Sequence, residues 1–237
     1  MRPHRPLVRV VAVALVVGTA ALVTGCSGAS SGGGVVATGQ GPNGIEKKSA
    51  QEIAAAAQDA AKGATAVHVK GTAGGTDLDV RIGQEAAHAT LSQSGQTIEV
   101  LRIGTDHYMK GDTAFWTAQG GPTAAAKLAD KWVKIGATLA AQYESFLTIS
   151  TFFSSLSSGD PLTKGGQADV GGTKAVTVTD TKDQSVLYVS MVDKPLPLKA
   201  TSPSSDGGSV TFSEWNVPIT DLVAPAQVID ITAQTGG

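Results

Sequence analysis

The segment Thr76-Asp77-Leu78-Asp79-Val80-Arg81-Ile82-Gly83-Gln84 decides the class of fold. Within it, Leu78, Val80 and Ile82 alternate with two aspartates and an arginine. Successive side chains of a β-strand point to opposite faces of the sheet, so this period of two predicts a strand with one buried and one solvated face. Sheets with one solvated face are typically antiparallel, which makes an antiparallel sheet the expected scaffold.

Short alternating segments of the same kind lie on both sides of this strand, and turns that contain glycine separate many of them. The first group is followed by a turn at Gly111-Asp112 and the apolar segment 114–117. The predicted strands are 65–71, 76–84, 87–93, 96–103 and 105–110, then, after an interruption, 166–170, 173–180, 185–192, 197–202 and 209–216. The order predicts an antiparallel meander, a helical insertion and a second group of strands.

Two parts of the chain have a helical pattern. Ser49 and Glu52 form a capping box for an Ala-rich helix that runs to about Lys62, where Gly63 is placed to end it. The insertion, residues 122–158, holds a large share of the aromatic residues, and its apolar side chains recur with helical spacing. We therefore expect helices that pack on the sheet.

The first 26 residues predict export and lipidation. Arg2, Arg5 and Arg9 precede an apolar run over residues 10–23, which is too short to span a ~30 Å hydrocarbon core comfortably and fits a secretory signal. The run ends in Leu22-Val23-Thr24-Gly25-Cys26, which resembles a bacterial lipobox. In such signals the cysteine thiol is acylated and becomes the first residue of the mature protein. The alternative is an uncleaved membrane anchor with an incidental cysteine.

These signals divide the chain into a lipoprotein-type signal peptide (1–25), a Gly/Ser-rich tether (26–48), one folded domain (49–232) and a short tail (233–237). Removing the signal peptide takes away three Arg and no acidic residue, so the net charge falls from −2 to −5. An acidic chain lacks the basic surface that non-specific nucleic-acid binding needs. The single Cys excludes an intramolecular disulfide, and no cofactor motif in its proper context or metal-ligand spacing is present.

Candidate catalytic residues are few. His68, His88 and His107 fall on different strands without an adjacent ligand pattern, which favours surface positions over a metal or general-base site. Asp77 and Asp79 share a strand face with Arg81, which is typical of a solvated face rather than a carboxylate pair. We predict a protein that binds rather than catalyses; an envelope hydrolase would require a serine, a histidine and an acid to meet in space.

Several passages in order resemble the LppX/LprG-type actinobacterial lipoprotein family. The passages are 106–111 followed by Phe115-Trp116, 186–189 followed by 194–199, and 210–215 with Pro218 and Pro225. The resemblance covers nearly all of residues 45–232 and implies an architecture like that of LolA and LolB. It implies an α+β fold with a curved antiparallel half-barrel of about ten to eleven strands and helices on its open, concave side.

The resemblance also implies a function. It implies a lipoprotein on the outer face of the cell membrane, expected to be a monomer, that binds or carries a lipid or lipidated glycan between sheet and helices. The alternative is a non-catalytic envelope scaffold or sensor that acts through protein–protein contacts. The expected site residues are Cys26 for lipidation and, for ligand lining, Trp116, Trp132, Tyr143, Phe146, Leu147, Phe152, Phe153 and Leu156.

Overall fold

Twelve strands form one sheet in the computed structural model, which describes residues 41–155, 161–203 and 207–232. The strands are β1 (Ala66–Ala73), β2 (Thr76–Gly83), β3 (Ala86–Gln93), β4 (Gln96–Ile103), β5 (Asp106–Gly111), β6 (Val133–Ile135), β7 (Leu162–Val170), β8 (Thr173–Asp180), β9 (Val186–Ser190), β10 (Pro197–Ser202), β11 (Gly208–Ser213) and β12 (Ile229–Asp230). Their spatial order is β12-β6-β5-β4-β3-β2-β1-β11-β10-β9-β8-β7.

All neighbouring strands are antiparallel except the β12–β6 pair, which is parallel. The two edge strands, β7 and β12, do not pair with each other, so the sheet is not closed into a barrel. Strands β1 to β5 follow one another as hairpins; the β1–β2 turn, for example, uses Gly74 and Gly75, whose φ angles of 58° and 72° suit glycine. The predicted α+β class with an antiparallel sheet is confirmed.

In the described ranges, four α-helices accompany the sheet: α1 (Ala50–Lys62), α2 (Thr113–Leu128), α3 (Ala137–Ala140) and α4 (Ile149–Ser155). Short 3₁₀ helices cover Ile45–Lys47 and Glu144–Phe146. The predicted capping box is present, because the Ser49 hydroxyl accepts from the Glu52 N–H and the Glu52 carboxylate accepts from the Ser49 N–H. No helix among the described residues is long and apolar enough to cross a membrane.

The core lies between the helices and one face of the sheet, which we call the inner face. The larger cluster joins apolar residues of β1 to β6 and β11, such as Val69, Val80 and Val100, to α2, α3 and α4. A smaller cluster joins Ile53 and Ala57 of α1 to β8 and β9. Small side chains on α1 allow the helix to pack closely on the sheet, as its Ala-rich sequence predicts.

The structure differs from the expected element pattern at three places. The short strands β6 and β12 raise the number of strands to twelve, and β6 lies within the stretch that the sequence assigns to the helical insertion. The segment 114–117, which the sequence left outside both predicted helical parts, is helical. Asp112 caps α2 there, because its carboxylate accepts a hydrogen bond from the Phe115 N–H at 2.7 Å. Residues 42–47, assigned to the tether, already pack on the fold: Asn43 bonds to Ser190, and Ile45 is buried.

Candidate functional site

The inner face brings together six of the predicted ligand-lining residues. Trp116, Leu147, Phe152 and Phe153 are buried in the larger core cluster, while Tyr143 and Phe146 are only partly buried and pack against it. Burial raises the pKa of the Tyr143 hydroxyl, so this group stays neutral and available as a hydrogen-bond donor. The six residues therefore form one continuous apolar layer over the sheet.

Helix α4 is fixed to the sheet by stacked aromatic rings. The ring centroid of Phe153 lies 5.3 Å from that of Phe212 on β11 and 5.4 Å from that of Trp215. Phe152 contacts Phe212 at 6.4 Å in an edge-on arrangement. Trp215 is itself held in place, since its Nε1 donates to the Pro197 carbonyl at 3.0 Å. This end of the insertion is thus the firmly packed end.

The other predicted site residues do not join this layer. Trp132 precedes β6 and lies on the opposite, outer face, where its ring is 6.4 Å from the His88 ring and 5.3 Å from the Lys110 Nζ. Trp132 lies within the stretch that the sequence assigns to the helical insertion, and the sequence pattern did not show that strand β6 interrupts this stretch. Cys26 and Leu156 lie outside the described residues.

The insertion covers the sheet with short and interrupted helices. Helix α2 is kinked at Gly120 and Gly121, where Gly121 has a φ of 73°, and Pro122 begins the second half. Helix α3 has four residues and α4 has seven. Helices of this length are not stable by themselves, so their position depends on the apolar contacts that they make with the sheet.

The inner face also carries polar side chains that the sequence did not reveal. Arg102 on β4 and His107 on β5 are paired neighbours in the strand register and share the face of Val100 and Met109. The Glu144 carboxylate lies 3.9 Å from the His107 Nε2, and its other oxygen accepts from the Thr148 hydroxyl. The sequence placed His107 at the surface because histidine favours the surface, and alternation did not correct this, since β5 has apolar residues at both Tyr108 and Met109.

On the outer face, two histidines meet carboxylates across neighbouring strands. The His68 Nε2 lies 2.6 Å from Asp79, which also accepts from Lys70 at 2.7 Å. The His88 Nε2 lies 3.0 Å from Glu99. Burial would raise the pKa of both carboxyl groups, but hydrogen bonds from lysine and histidine outweigh it and hold both pKa values below their ordinary range. These are charge pairs between adjacent strands.

The two aspartates of β2 each bond to their own partners and do not act as a carboxylate pair. Asp77 accepts from the Thr72 hydroxyl at 2.6 Å, whereas Asp79 is held by its histidine and lysine. Both line a groove of about 350 Å³ on this part of the sheet. The groove is lined by Lys70, Gly71, Thr72, Asp77, Leu78, Asp79, Thr90 and Ser92. Within the described residues, no group of three or more metal-ligating side chains converges.

Residues 214–232, here called the C-terminal strap, run from the end of β11 to the edge of the sheet, where they form β12 beside β6. Ile219 packs over Gly83, and Asp221 forms two hydrogen bonds with the Arg81 guanidinium, at 2.6 and 2.8 Å. The strap then pairs through Ile229 with Val133. The Arg81 guanidinium lowers the pKa of Asp221 to about 2.

The Arg81–Asp221 pair predicts that acid loosens the strap. The pKa of Asp221 is lower in the folded chain than its ordinary value of 3.8, so its contribution is complete above that value and is lost as the pH falls towards about 2. Asp221→Asn removes the charge at every pH. We expect severalfold faster amide exchange in peptides from residues 217–228 at neutral pH, measured by hydrogen-exchange mass spectrometry.

The control for this prediction is Asp169→Asn, which removes a carboxylate on edge strand β7, at the opposite end of the sheet from the strap's pairing with β6. Wild-type exchange, corrected for the intrinsic effect of pH, should approach that of Asp221→Asn in acid. Equal exchange of the strap in wild type and Asp221→Asn at neutral pH would show that the pair does not hold it.

The fold and its apolar layer define an α+β protein in which short helices cover one face of an open antiparallel sheet. Similar solved structures are LprF from Mycobacterium bovis (16% identity, TM-score 0.47, 72% of this chain and 94% of that one) and the Mycobacterium tuberculosis lipoprotein LppX (17%, 0.45, 72% and 98%). MucB is similar at 20% identity and a TM-score of 0.39, over 76% of this chain and 65% of that one. No protein-family model and no curated protein matches the chain.

Proposed function

We propose that this protein is an exported, membrane-anchored lipoprotein that binds an apolar ligand, a lipid or lipidated glycan, between the inner face of its sheet and the helical insertion. The observation that carries the proposal is that several apolar side chains of the insertion, in the apolar layer and beside it, are only partly buried. Tyr143, Phe146 and Leu139 pack against the core but remain partly exposed, as does Leu128 at the end of α2. Such side chains offer an acyl chain a surface that is already assembled.

The construction of the insertion supports ligand entry. A kinked helix followed by helices of four and seven residues is held by side-chain contacts rather than by its own helical stability. An acyl chain that entered between the insertion and the sheet would replace apolar contacts with similar ones. Burial of each CH₂ group stabilises the complex by about 0.8 kcal/mol, so a long chain offsets the contacts that are lost.

The lipobox supports the membrane location. The leader, its short apolar run and the small residues before Cys26 form the pattern of a signal that is cleaved after acylation. Two acyl chains on Cys26 would hold the protein at the outer face of the membrane. A ligand-binding fold on a tether at this surface is suited to taking up lipids without catalysis.

Photo-crosslinking tests the ligand-binding proposal in the membrane-bound protein. The full-length chain is placed in phosphatidylcholine vesicles that contain a photoactivatable phosphatidylcholine with the reactive group in its acyl chain. After irradiation, we expect mass spectrometry to find crosslinks in the insertion peptide 137–155 and in strands β3 to β5. Unlabelled lipid should compete for these crosslinks.

Matched variants separate a binding site from accidental contact with the vesicle. Phe146→Ala should lower crosslinking of the insertion about tenfold, since an apolar side chain of this size contributes roughly 1.5–3 kcal/mol to burial. Val223→Ala, at a residue that is 71% exposed on the strap, should not change it. Crosslinks confined to the region around Cys26 would contradict ligand binding and leave the scaffold or sensor alternative.

A further inference from the structure

Two basic side chains lie side by side under the insertion, on the apolar inner face. Arg102 and His107 are directly opposite each other in the β4–β5 register. Residues in this relation have Cβ atoms about 5 Å apart on the same face of a sheet. Their neighbours along the two strands, Val100 and Met109, are fully buried core residues. A strong base at this position requires an explanation, because charged groups are costly to place at an apolar layer.

The hydrogen bonds of Arg102 do not neutralise its charge. Among the described residues, the guanidinium donates only to main-chain carbonyl oxygens: those of Gly83 at 2.8 Å, Gln84 at 3.1 Å, Leu147 at 3.3 Å and Gly104 at 3.5 Å. In the described part of the chain, no carboxylate forms an ion pair with it. Its Nε is buried and has no hydrogen-bond partner there. Arginine keeps its charge in proteins, so this cation is held in place by neutral groups.

Two further nitrogen atoms on this side of the sheet are also buried without a hydrogen-bond partner among the described residues. The His107 Nε2 is buried without a hydrogen-bond partner, and its nearest carboxylate oxygen, on Glu144, is 3.9 Å away. The Trp116 Nε1 is likewise buried without a hydrogen-bond partner, on a residue that is only 7% exposed. An unsatisfied buried polar group costs about 1–3 kcal/mol. The shared feature is a set of buried side-chain nitrogen atoms at the apolar layer, at least two of them hydrogen-bond donors, that have no partner in the described part of the chain.

We propose that Arg102 and His107 form a polar subsite for an acidic group, a phosphate or a carboxylate, on the ligand. This inference rests on the proposed function and assigns the class of ligand that the same site takes. The Leu147 carbonyl accepts a hydrogen bond from Arg102, and the Glu144 carboxylate approaches His107. The partly exposed Tyr143 and Phe146 lie in the same short segment of the insertion. The acidic head therefore lies beside the β4–β5 turn, where β4 ends and β5 begins, and the acyl chains extend along the apolar layer.

Glu144 does not occupy this subsite. Its carboxylate is committed to the Thr148 hydroxyl through one oxygen, and its side chain is 43% exposed to solvent. Water weakens its interaction with the histidine, whereas an acidic group beside the partly buried Arg102 would receive charge-assisted hydrogen bonds. The arrangement accordingly favours an acidic head over a neutral one on otherwise identical chains.

A pair of photoactivatable lipids tests the subsite. Phosphatidic acid and diacylglycerol probes with the same acyl chains are placed in identical phosphatidylcholine vesicles with the full-length protein. We expect the acidic probe to label peptide 137–155 about tenfold more than the neutral probe, the factor that corresponds to ~1.4 kcal/mol. Labelling by neither probe would refute the proposed function, whereas equal labelling by both would refute the subsite alone.

Three variants assign the preference to its residues. Arg102→Gln should reduce the ratio of acidic-probe to neutral-probe labelling to near one, and His107→Gln should reduce this ratio about threefold. If Arg102→Gln fails to fold, as thermal melting would reveal, His107→Gln decides the question, since its ring nitrogen makes no bond that the fold requires. Lys70→Gln, which removes a cation from the outer face, should leave the preference unchanged. An unchanged preference in His107→Gln, together with Arg102→Gln where that variant folds, would overturn the assignment.

Free phosphate distinguishes the two sources of the acidic group. If the subsite serves the head of a bound lipid, millimolar inorganic phosphate should leave the labelling by the acidic probe nearly unchanged, because the acyl chains hold the head in place. Displacement of the acidic probe by inorganic phosphate alone would also support an anion subsite at Arg102 and His107, and would assign it to free phosphate.

Discussion

Gly71→Ala is expected to destabilise the fold by about 4 kcal/mol, among the largest effects of any single substitution in the described part of the chain. Gly71 has a φ of +146°, a conformation that side chains rarely adopt. A Cβ at this position would overlap the Ser209 carbonyl oxygen and approach the Val210 Cα to 2.8 Å. Both obstacles are main-chain atoms of the neighbouring strand, so no rotation of a side chain can relieve the overlap.

The location of Gly71 makes the overlap serious. Strands β1 and β11 join the two parts of the sheet, and Gly71 pairs with Val210 within that contact, next to its last pair. The strands must therefore separate locally to admit a methyl group, which breaks hydrogen bonds and moves Val210 and Phe212 out of the core. Loss of the β1–β11 pairing exposes the inner face of both parts of the sheet, and the whole sheet should unfold more readily.

Urea unfolding of the full-length chain, followed by tryptophan fluorescence, measures this effect. Gly166→Ala is the matched control, because its added Cβ meets nothing within 4 Å and its φ is not in the left-handed region. That substitution should leave the midpoint nearly unchanged or raise it slightly. If Gly71→Ala and Gly166→Ala unfold at the same urea concentration, the close approach of β1 and β11 is not as described.

Much of the sheet follows from the sequence because its strands have one apolar and one polar face. The alternation over β2 identifies the strand and its inner face, and the residues of β2 behave as predicted. Strands β6 and β12, with three and two residues, are too short to show a period. Their pairing is determined by the return of the C-terminal strap to the sheet edge, a contact between distant residues that no local pattern encodes.

The site residues on helices were predictable because helical spacing marks their apolar face. The site residues on strands were not, because the sequence did not show which face of the sheet each of them occupies. Tyr143, Phe146 and Leu147 follow the i, i+3, i+4 pattern and do lie together, although a 3₁₀ helix rather than an α-helix carries the central residues. Arg102 and His107 face inwards because each keeps the alternation of its strand. The sequence placed His107 at the surface because residue type, taken alone, favours the surface for histidine.

Cys26→Ala should abolish acylation of the protein and release it from lipid-mediated attachment. In the lipobox hypothesis the sulfur is the only atom that can accept the lipid, so its loss removes both acyl chains together. Because each buried CH₂ contributes ~0.8 kcal/mol, the contribution of the two acyl chains to membrane affinity amounts to many orders of magnitude. Few substitutions elsewhere in the chain could have an effect of this size.

Metabolic labelling with an alkyne fatty acid decides between the lipobox and an uncleaved anchor. The wild-type chain should be labelled and shortened by its leader, while Cys26→Ala should be unlabelled and keep residues 1–25. Ser27→Ala is the matched control and should be labelled like wild type, since the hydroxyl beside the cysteine takes no part in the acylation. Membrane retention of Cys26→Ala together with an unlabelled wild type would show that the apolar run 10–23 is the anchor. Fatty-acid labelling that is lost with the Cys26 sulfur, and only with it, is the result that a lipid-anchored carrier requires.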